Sequence, residues 1–252
     1  MIRAQDFLDI LKSSCQSATT AQIARASVTG KNEAIFRDLA LNALARVRPD
    51  WLCRAEWDTP KDAFARWSKA WPAEKRKKGI VDLVAVSADD PFSESPVLAV
   101  EFKMWYWFDA LDKSKYARSG RDYHHLISQS FVMDATKLVS VIPNAHDGRL
   151  VVTIVPTFHL DEIQPKGNQK RGEYLAECGF PKSYVGLAKA DPKNGLQPTT
   201  DLRTNAINAI HSYFESKRCP TVVGAQQIGV FNGLRVTTDF LVSEVPKDLE
   251  RR

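Results

Sequence analysis

The sequence predicts an α/β or α+β fold with a mixed β-sheet at its centre and helices flanking it. Three observations lead there. Apolar runs of strand length occur at 51–57, 80–87, 97–104 and 149–155. Two longer segments, 31–47 and 119–142, instead repeat apolar residues at three- and four-residue steps, the helical period. Their order is helix, three strands, helix, strand, and three successive strands followed by a helix and a fourth strand point to a mixed sheet.

Each element has a local justification. Residues 3–12 read as a short amphipathic helix, and the Ser/Thr/Ala-rich stretch to about residue 30 has no clear period. Over 31–47 Glu33, Phe36, Ala40, Leu44 and Val47 fall on one helical face, and Pro49 ends the run. The strand WLCRAEW (51–57) precedes a basic, aromatic-bearing insertion over 58–79, and IVDLVAVS (80–87) follows. DDPFSESP links to the strand VLAVEFKM at 97–104. In 119–142 Tyr123, Ile127, Phe131, Leu138 and Ile142 keep helical spacing, and Pro143 with Asp147-Gly148 supplies the turn into RLVVTIV. Beyond a Gly/Pro/Lys-rich stretch (161–200) come a helix near 201–217 and a hairpin in which Asn232-Gly233 joins QQIGVF to LRVTTDFLV.

Composition narrows the class without naming a function. At 252 residues, against about 150 per domain, one large domain spanning 1–252 is expected. Hydrophobic residues at 44% and charged ones at 26% are ordinary globular values, and no apolar run is long enough to suggest a membrane. The net charge of +5 hides local excess. Lys61, Arg66, Lys69, Lys75, Arg76, Lys77 and Lys78 crowd 61–78, and Lys113, Lys115, Arg118 and Arg121 follow one another without an acid between them. Nucleic acid is the polyanion such segments would meet. Cys15, Cys53, Cys178 and Cys219 form no C-x-x-C pair, so neither a zinc site nor a disulfide framework is expected. MIRAQDFLDILKSS lacks the pattern of a secretory signal, and the expected location is the cytoplasm.

The chemistry concentrates on two strands. Asp82 interrupts the apolar run IVDLV, and Glu101 and Lys103 interrupt AVEFKM. Burying such groups is costly without compensation. Strand side chains alternate, so Glu101 and Lys103 share one face with Phe102 on the other. If the two strands pair, about 5 Å apart, Asp82 joins Glu101 at one depth. Two carboxylates so placed suit a hard divalent cation such as Mg²⁺ or Mn²⁺, and the adjacent Lys offers charge to a phosphate or an attacking water.

Asp82, separated by eighteen residues from the run Glu101-Phe102-Lys103, resembles the PD-(D/E)-x-K nuclease superfamily, the restriction-endonuclease-like fold. The resemblance covers about half the chain. It implies a three-layer nuclease-like core over about 29–160, with the α+β extension 161–252 packed on it. It further implies that Asp82, Glu101 and the Phe102 carbonyl ligate metal, that Lys103 is catalytic, and that Glu33 on the first core helix assists. The implied activity is Mg²⁺-dependent hydrolysis of DNA to 5′-phosphate and 3′-hydroxyl ends, with double-stranded DNA as partner and a homodimer as one possible assembly. Val81 replaces the motif proline, and Gln129 followed by Met133 departs from the Q-x-x-x-Y element of one subgroup. Three decoys lack the setting: Glu215-Ser216-Lys217 lies in a helix, Asp191-Pro192-Lys193 in a loop, and Pro49-Asp50 at a helix end.

Other readings stand beside these. Glu33, following Asn32, is also a favourable acid in a first helical turn. Lys103 is also a plausible ion-pair partner of Asp82 or Glu101. Lys75–Lys78, Lys115, Arg118 and Arg121 are candidate phosphate contacts or solvated surface, and Phe64, Trp67, Trp71 and the run Met104–Phe108 are candidate packing faces. His125 and Gln129, on the helix after the motif, are candidate accessory residues. A restriction or defence endonuclease is the expected setting. A repair or prophage nuclease, or an inactive nucleic-acid-binding or assembly module of the same fold, are the alternatives.

Overall fold

The computed structural model describes residues 2–28, 33–59, 79–104, 131, 133–139, 142, 148–159, 176–177, 199–224, 227–247 and 249. Helices α1 (Ala4–Ser17), α2 (Thr20–Val28) and α3 (Glu33–Val47) precede strands β1 (Trp51–Asp58), β2 (Ile80–Ser87) and β3 (Leu98–Met104). Helical residues 131 and 133–139 form α4. Then follow β4 (Gly148–Phe158), α5 (Thr199–Ser216), β5 (Thr221–Val223), β6 (Gln227–Phe231) and β7 (Leu234–Glu244). The described elements between 33 and 158 thus have the order read from the sequence.

The strands form one seven-stranded mixed sheet in the order β1-β2-β3-β4-β7-β5, with β6 also paired to β7. β1, β2 and β3 form an antiparallel meander, whereas β4 runs parallel to β3, as a connection through α4 requires. β7 lies antiparallel to β4 along nine residue pairs, Leu150↔Glu244 to Phe158↔Val236, so the C-terminal segment completes the sheet from within.

Two apolar layers enclose this sheet. Phe7, Leu11, Ile23, Phe36 and Leu44 of α1–α3 pack on Leu83, Leu98, Val100, Phe102, Val152 and Phe240. On the opposite face Phe131, Ala135 and Leu138 of α4 and Ile210 and Phe214 of α5 pack on Val84, Ala99, Val151, Val155 and Leu241. The period-two split of β3 is direct: Leu98, Val100, Phe102 and Met104 face α1–α3, and Ala99 faces the other way. Cys15 is buried and its thiol is pushed up to about 12 by desolvation, which makes it an inert packing group. Among the described residues no helix is long and apolar enough to cross a membrane.

The structure corrects the sequence reading in three places. Val47, expected on the buried face of α3, is 55% exposed, because that helix turns Ala40, Ala43 and Leu44 inward. β5 was not foreseen; three residues paired to β7 are too few to carry a period. The stretch 20–28, read as irregular, is α2. Its apolar period is weak because small residues, Ala24, Ala26 and Ser27, face the sheet. Its start signal was nevertheless present: Thr19 Oγ1 accepts the Gln22 N–H (3.2 Å) and Gln22 Oε1 accepts the Thr19 N–H (2.9 Å), a T-x-x-Q capping box.

Close approach of α2 to β6 depends on Gly229, where an added Cβ would lie 2.3 Å from the Thr20 carbonyl oxygen and 2.8 Å from Ala24 Cβ. Backbone cannot yield as a flexible side chain does. Gly229→Ala is therefore expected to cost about 1–3 kcal/mol, the usual range for overpacking, read by urea unfolding. Unchanged stability would mean that α2 shifts freely on the sheet. At the far end of the same strand, Asn232 (φ 47°) and Gly233 (φ 77°) both adopt the left-handed conformation of a two-residue type I′ turn, as the Asn-Gly pair predicted.

Candidate active site

The β2–β3 ladder pairs Ala85 with Leu98, Val84 with Ala99 and Leu83 with Val100. It stops there. One step further in the same register stand Asp82 and Glu101, and in place of the next ladder bond Asp82 Oδ2 accepts the Phe102 N–H at 2.8 Å. The strands thus open where the two carboxylates sit. In extended backbone the N–H and C=O of one residue point to the same edge, so the Phe102 carbonyl is directed toward the Asp82 side.

Glu101 and Lys103 share the α4 face of β3, with Phe102 buried on the other side, as alternation predicted. Glu33, in the first turn of α3, reaches the C-terminal end of β3, where its Oε1 accepts the Met104 N–H at 2.8 Å. That bond ties the start of the helix to the motif strand. The four core residues Glu33, Asp82, Glu101 and Lys103 are therefore brought to one end of β3 from three elements.

α4 adds two residues that the sequence reading missed. Lys137 Nζ donates to the Ile80 carbonyl (2.9 Å) and lies 2.5 Å from Glu101 Oε1. Asp134, one turn earlier, has Oδ2 3.4 Å from Lys103 Nζ. Lys103 is thus paired across the site with α4, whereas a strand partner, Asp82 or Glu101, was the alternative foreseen. A signal did exist in the sequence. Asp134 and Lys137 directly precede Ala135 and Leu138 of the apolar stripe, so a carboxylate and an ammonium border the buried face of α4.

Burial dominates the electrostatics. Glu101 is 3% exposed, and desolvation holds its carboxyl well above the ordinary 4.5; Lys137 opposes that shift, and Asp134 and Asp82 reinforce it. Asp134 is likewise raised above 3.8 by desolvation, against the pull of Lys103 and Lys137. For Lys103 desolvation lowers and Asp134, Glu33 and Glu101 raise, with a net upward shift that keeps the ammonium charged. A carboxyl whose pKa is raised on folding supplies its full stability below about 4.5 and loses it as pH climbs toward the folded value. Wild-type stability is therefore expected to fall as pH rises from about 5, with Glu101→Gln lacking that part of the decline. Thermal unfolding across pH 5–8 measures both. Parallel curves would show that Glu101 ionises as freely in the fold as in the unfolded chain.

Hard oxygen donors are the chemistry on offer to a metal. Asp82 and Glu101, with the Phe102 carbonyl, are the groups that could hold a divalent cation. Glu101 Oε1 and Asp134 Oδ2 are buried without an aligned hydrogen-bond donor, and three mutually repelling carboxylates face two ammoniums, a balance that a cation would relieve. The donor set fits Mg²⁺ or Mn²⁺ in kind. Among the described residues no three His, Cys, Asp or Glu side chains converge as a metal-binding group.

Lys103, Asp134 and Thr153 border a small cleft that Phe131, Ile210 and Phe214 close from the helix side. Lys75, Arg76, Lys77, Lys78, Lys115, Arg118, Arg121, His125 and Gln129, expected to contact nucleic acid or assist, lie outside the described residues. Comparison with protein-family models, with curated proteins and with solved structures finds no match.

Proposed function

We propose that the chain is a metal-dependent phosphodiesterase, a DNA endonuclease of restriction or defence type working in the cytoplasm. The observation that carries this reading is the meeting of Asp82, Glu101 and Lys103 on one sheet face, at the point where the β2–β3 ladder opens, with Glu33 at its edge. The element order α3, β1–β3, α4, β4, with β4 parallel to β3, also agrees with the superfamily that the motif resembles.

In this reading Asp82, Glu101 and the Phe102 carbonyl hold Mg²⁺ or Mn²⁺. The cation, when bound, polarises the phosphate and lowers the pKa of a water. Lys103 places its charge where negative charge builds on the phosphate oxygens, and Asp134 positions that ammonium. Glu33 holds the end of β3 so that Glu101 and Lys103 keep their spacing. The basic segments 61–78 and 113–121 supply phosphate contacts to a duplex.

One observation favours a second reading, a nucleic-acid-binding or assembly module without cleavage: Asp82 and Glu101 are both already engaged, by Phe102 and Lys137. A screen of single-stranded, duplex, branched and methylated DNA, and of RNA, with Mg²⁺ and Mn²⁺ decides between them. The nuclease reading requires cleavage in metal that disappears in Asp82→Asn. Salt-sensitive binding with no cleavage on any substrate would leave the second reading.

A further inference from the structure

Glu101 is a carboxylate that a divalent cation would use in this reading, and the Lys137 ammonium lies 2.5 Å from its Oε1. That ammonium is firmly placed. It donates to the Ile80 carbonyl at the start of β2, and its side chain is only 12% exposed, so little solvent screens it. The helix that supplies it also supplies Asp134 to Lys103 one turn away, so both lysines of the site are held by ion pairs between α4 and β3. A second cation on the Glu101 carboxylate is repelled by the Lys137 ammonium, and the repulsion is strong where burial lowers the effective dielectric.

We infer that Lys137 is a built-in competitor of the divalent cation: its ammonium occupies the Glu101 carboxylate that metal would use, and it thereby lowers the metal affinity of the site. This rests on the metal-dependent reading above and adds a residue to it. Lys137 acts through Glu101 and is a positioning residue for metal loading. The device would keep the site weakly loaded at low metal concentration, with Lys137 neutralising Glu101 in the meantime. It also accounts for an anionic centre in which the buried oxygens of Glu101 and Asp134 are met by lysine ammoniums alone.

The test is Mn²⁺ binding to the full chain, followed by loss of the paramagnetic resonance signal of free Mn²⁺ and by calorimetry, without substrate. Lys137→Gln removes the charge and keeps an amide donor for Ile80 or Glu101. It is expected to bind Mn²⁺ about ten-fold tighter than wild type or better, while Lys137→Arg, which keeps the charge, stays near wild type. Lys137→Met serves the same purpose if the amide variant does not fold. Wild type that binds Mn²⁺ and cleaves, with a neutral variant that binds no tighter, overturns the competition and leaves the nuclease reading standing. If neither wild type nor the neutral variants bind Mn²⁺ at millimolar concentration, both the competition and the metal-dependent reading are overturned.

Discussion

In the proposed nuclease reading, Lys103→Ala is expected to lower metal-dependent DNA cleavage about 10²–10³-fold, a loss of about 3–4 kcal/mol of transition-state stabilisation. The size follows from the setting. Lys103 keeps its ammonium charged although largely buried, because Asp134, Glu33 and Glu101 outweigh desolvation. A cation fixed in a poorly screened site stabilises developing negative charge with little reorganisation. Its side chain is 32% exposed, so the ammonium is not sealed off from solvent. The drop should appear in single-turnover rate with substrate affinity little changed, and Lys103→Arg should recover part of it. A Lys103→Ala protein that cuts at the wild-type rate would remove Lys103 from the chemistry and return it to the role of a structural partner for Asp134.

Arg203→Ala is expected to be the most destabilising single truncation among the described ion pairs, at about 3–5 kcal/mol. The Arg203 guanidinium meets both oxygens of Asp239 at 2.6 Å, and Asp239 is 2% exposed within β7. That bidentate contact fastens α5 to the middle of β7, and the guanidinium holds its own proton tightly, through the hydrogen bonds to Asp239 first. Truncation leaves a carboxylate buried without its partner, which costs far more than an exposed pair would contribute. For a chain of this size the thermal midpoint should drop by roughly 6–20 °C. A double variant, Arg203→Met with Asp239→Leu, should recover much of the loss, since apolar replacements of a buried pair are often near neutral. A single truncation within about 1 kcal/mol of wild type would mean that water reaches Asp239. The same variant should also loosen the site, because Ile210 and Phe214 of α5 close the cleft beside Lys103 and Asp134.

How much of this was legible depended on how strongly each residue type declares its position. β2 was bounded correctly because Val81, Leu83, Val84, Ala85 and Val86 are all buried, and a run of that kind between polar links has few other uses. The Asn232-Gly233 turn was legible because few residues other than Gly and Asn tolerate two successive left-handed positions. α2 was missed because, Ile23 apart, the residues it buries are small, and hydropathy hardly registers Ala and Ser. Val47 was misplaced because it is the last residue of its helix, and a last turn need not follow the stripe inward.

Within the site, local sequence determined Glu101, Lys103 and Asp82, since charges inside apolar strand runs must be compensated somewhere. Alternation put the first two on one face. It could not say who compensates them. The partners of Glu101 and Lys103 come from α4, across a helix-to-strand contact that no local period encodes. Likewise the sequence showed a terminal hairpin, but only the assembled sheet placed β7 beside β4 and made the C-terminal segment part of the core.

The sequence by itself therefore determined the class of fold, the order of its central elements and the motif residues on β2 and β3. These depend on periods and burial costs that act within a few residues. Tertiary structure alone decided that the β2–β3 ladder opens at Asp82, that Glu33 reaches Met104, and that Lys137 stands on Glu101. Each of those contacts joins residues brought together by packing, where distance and desolvation, rather than spacing along the chain, set the energy.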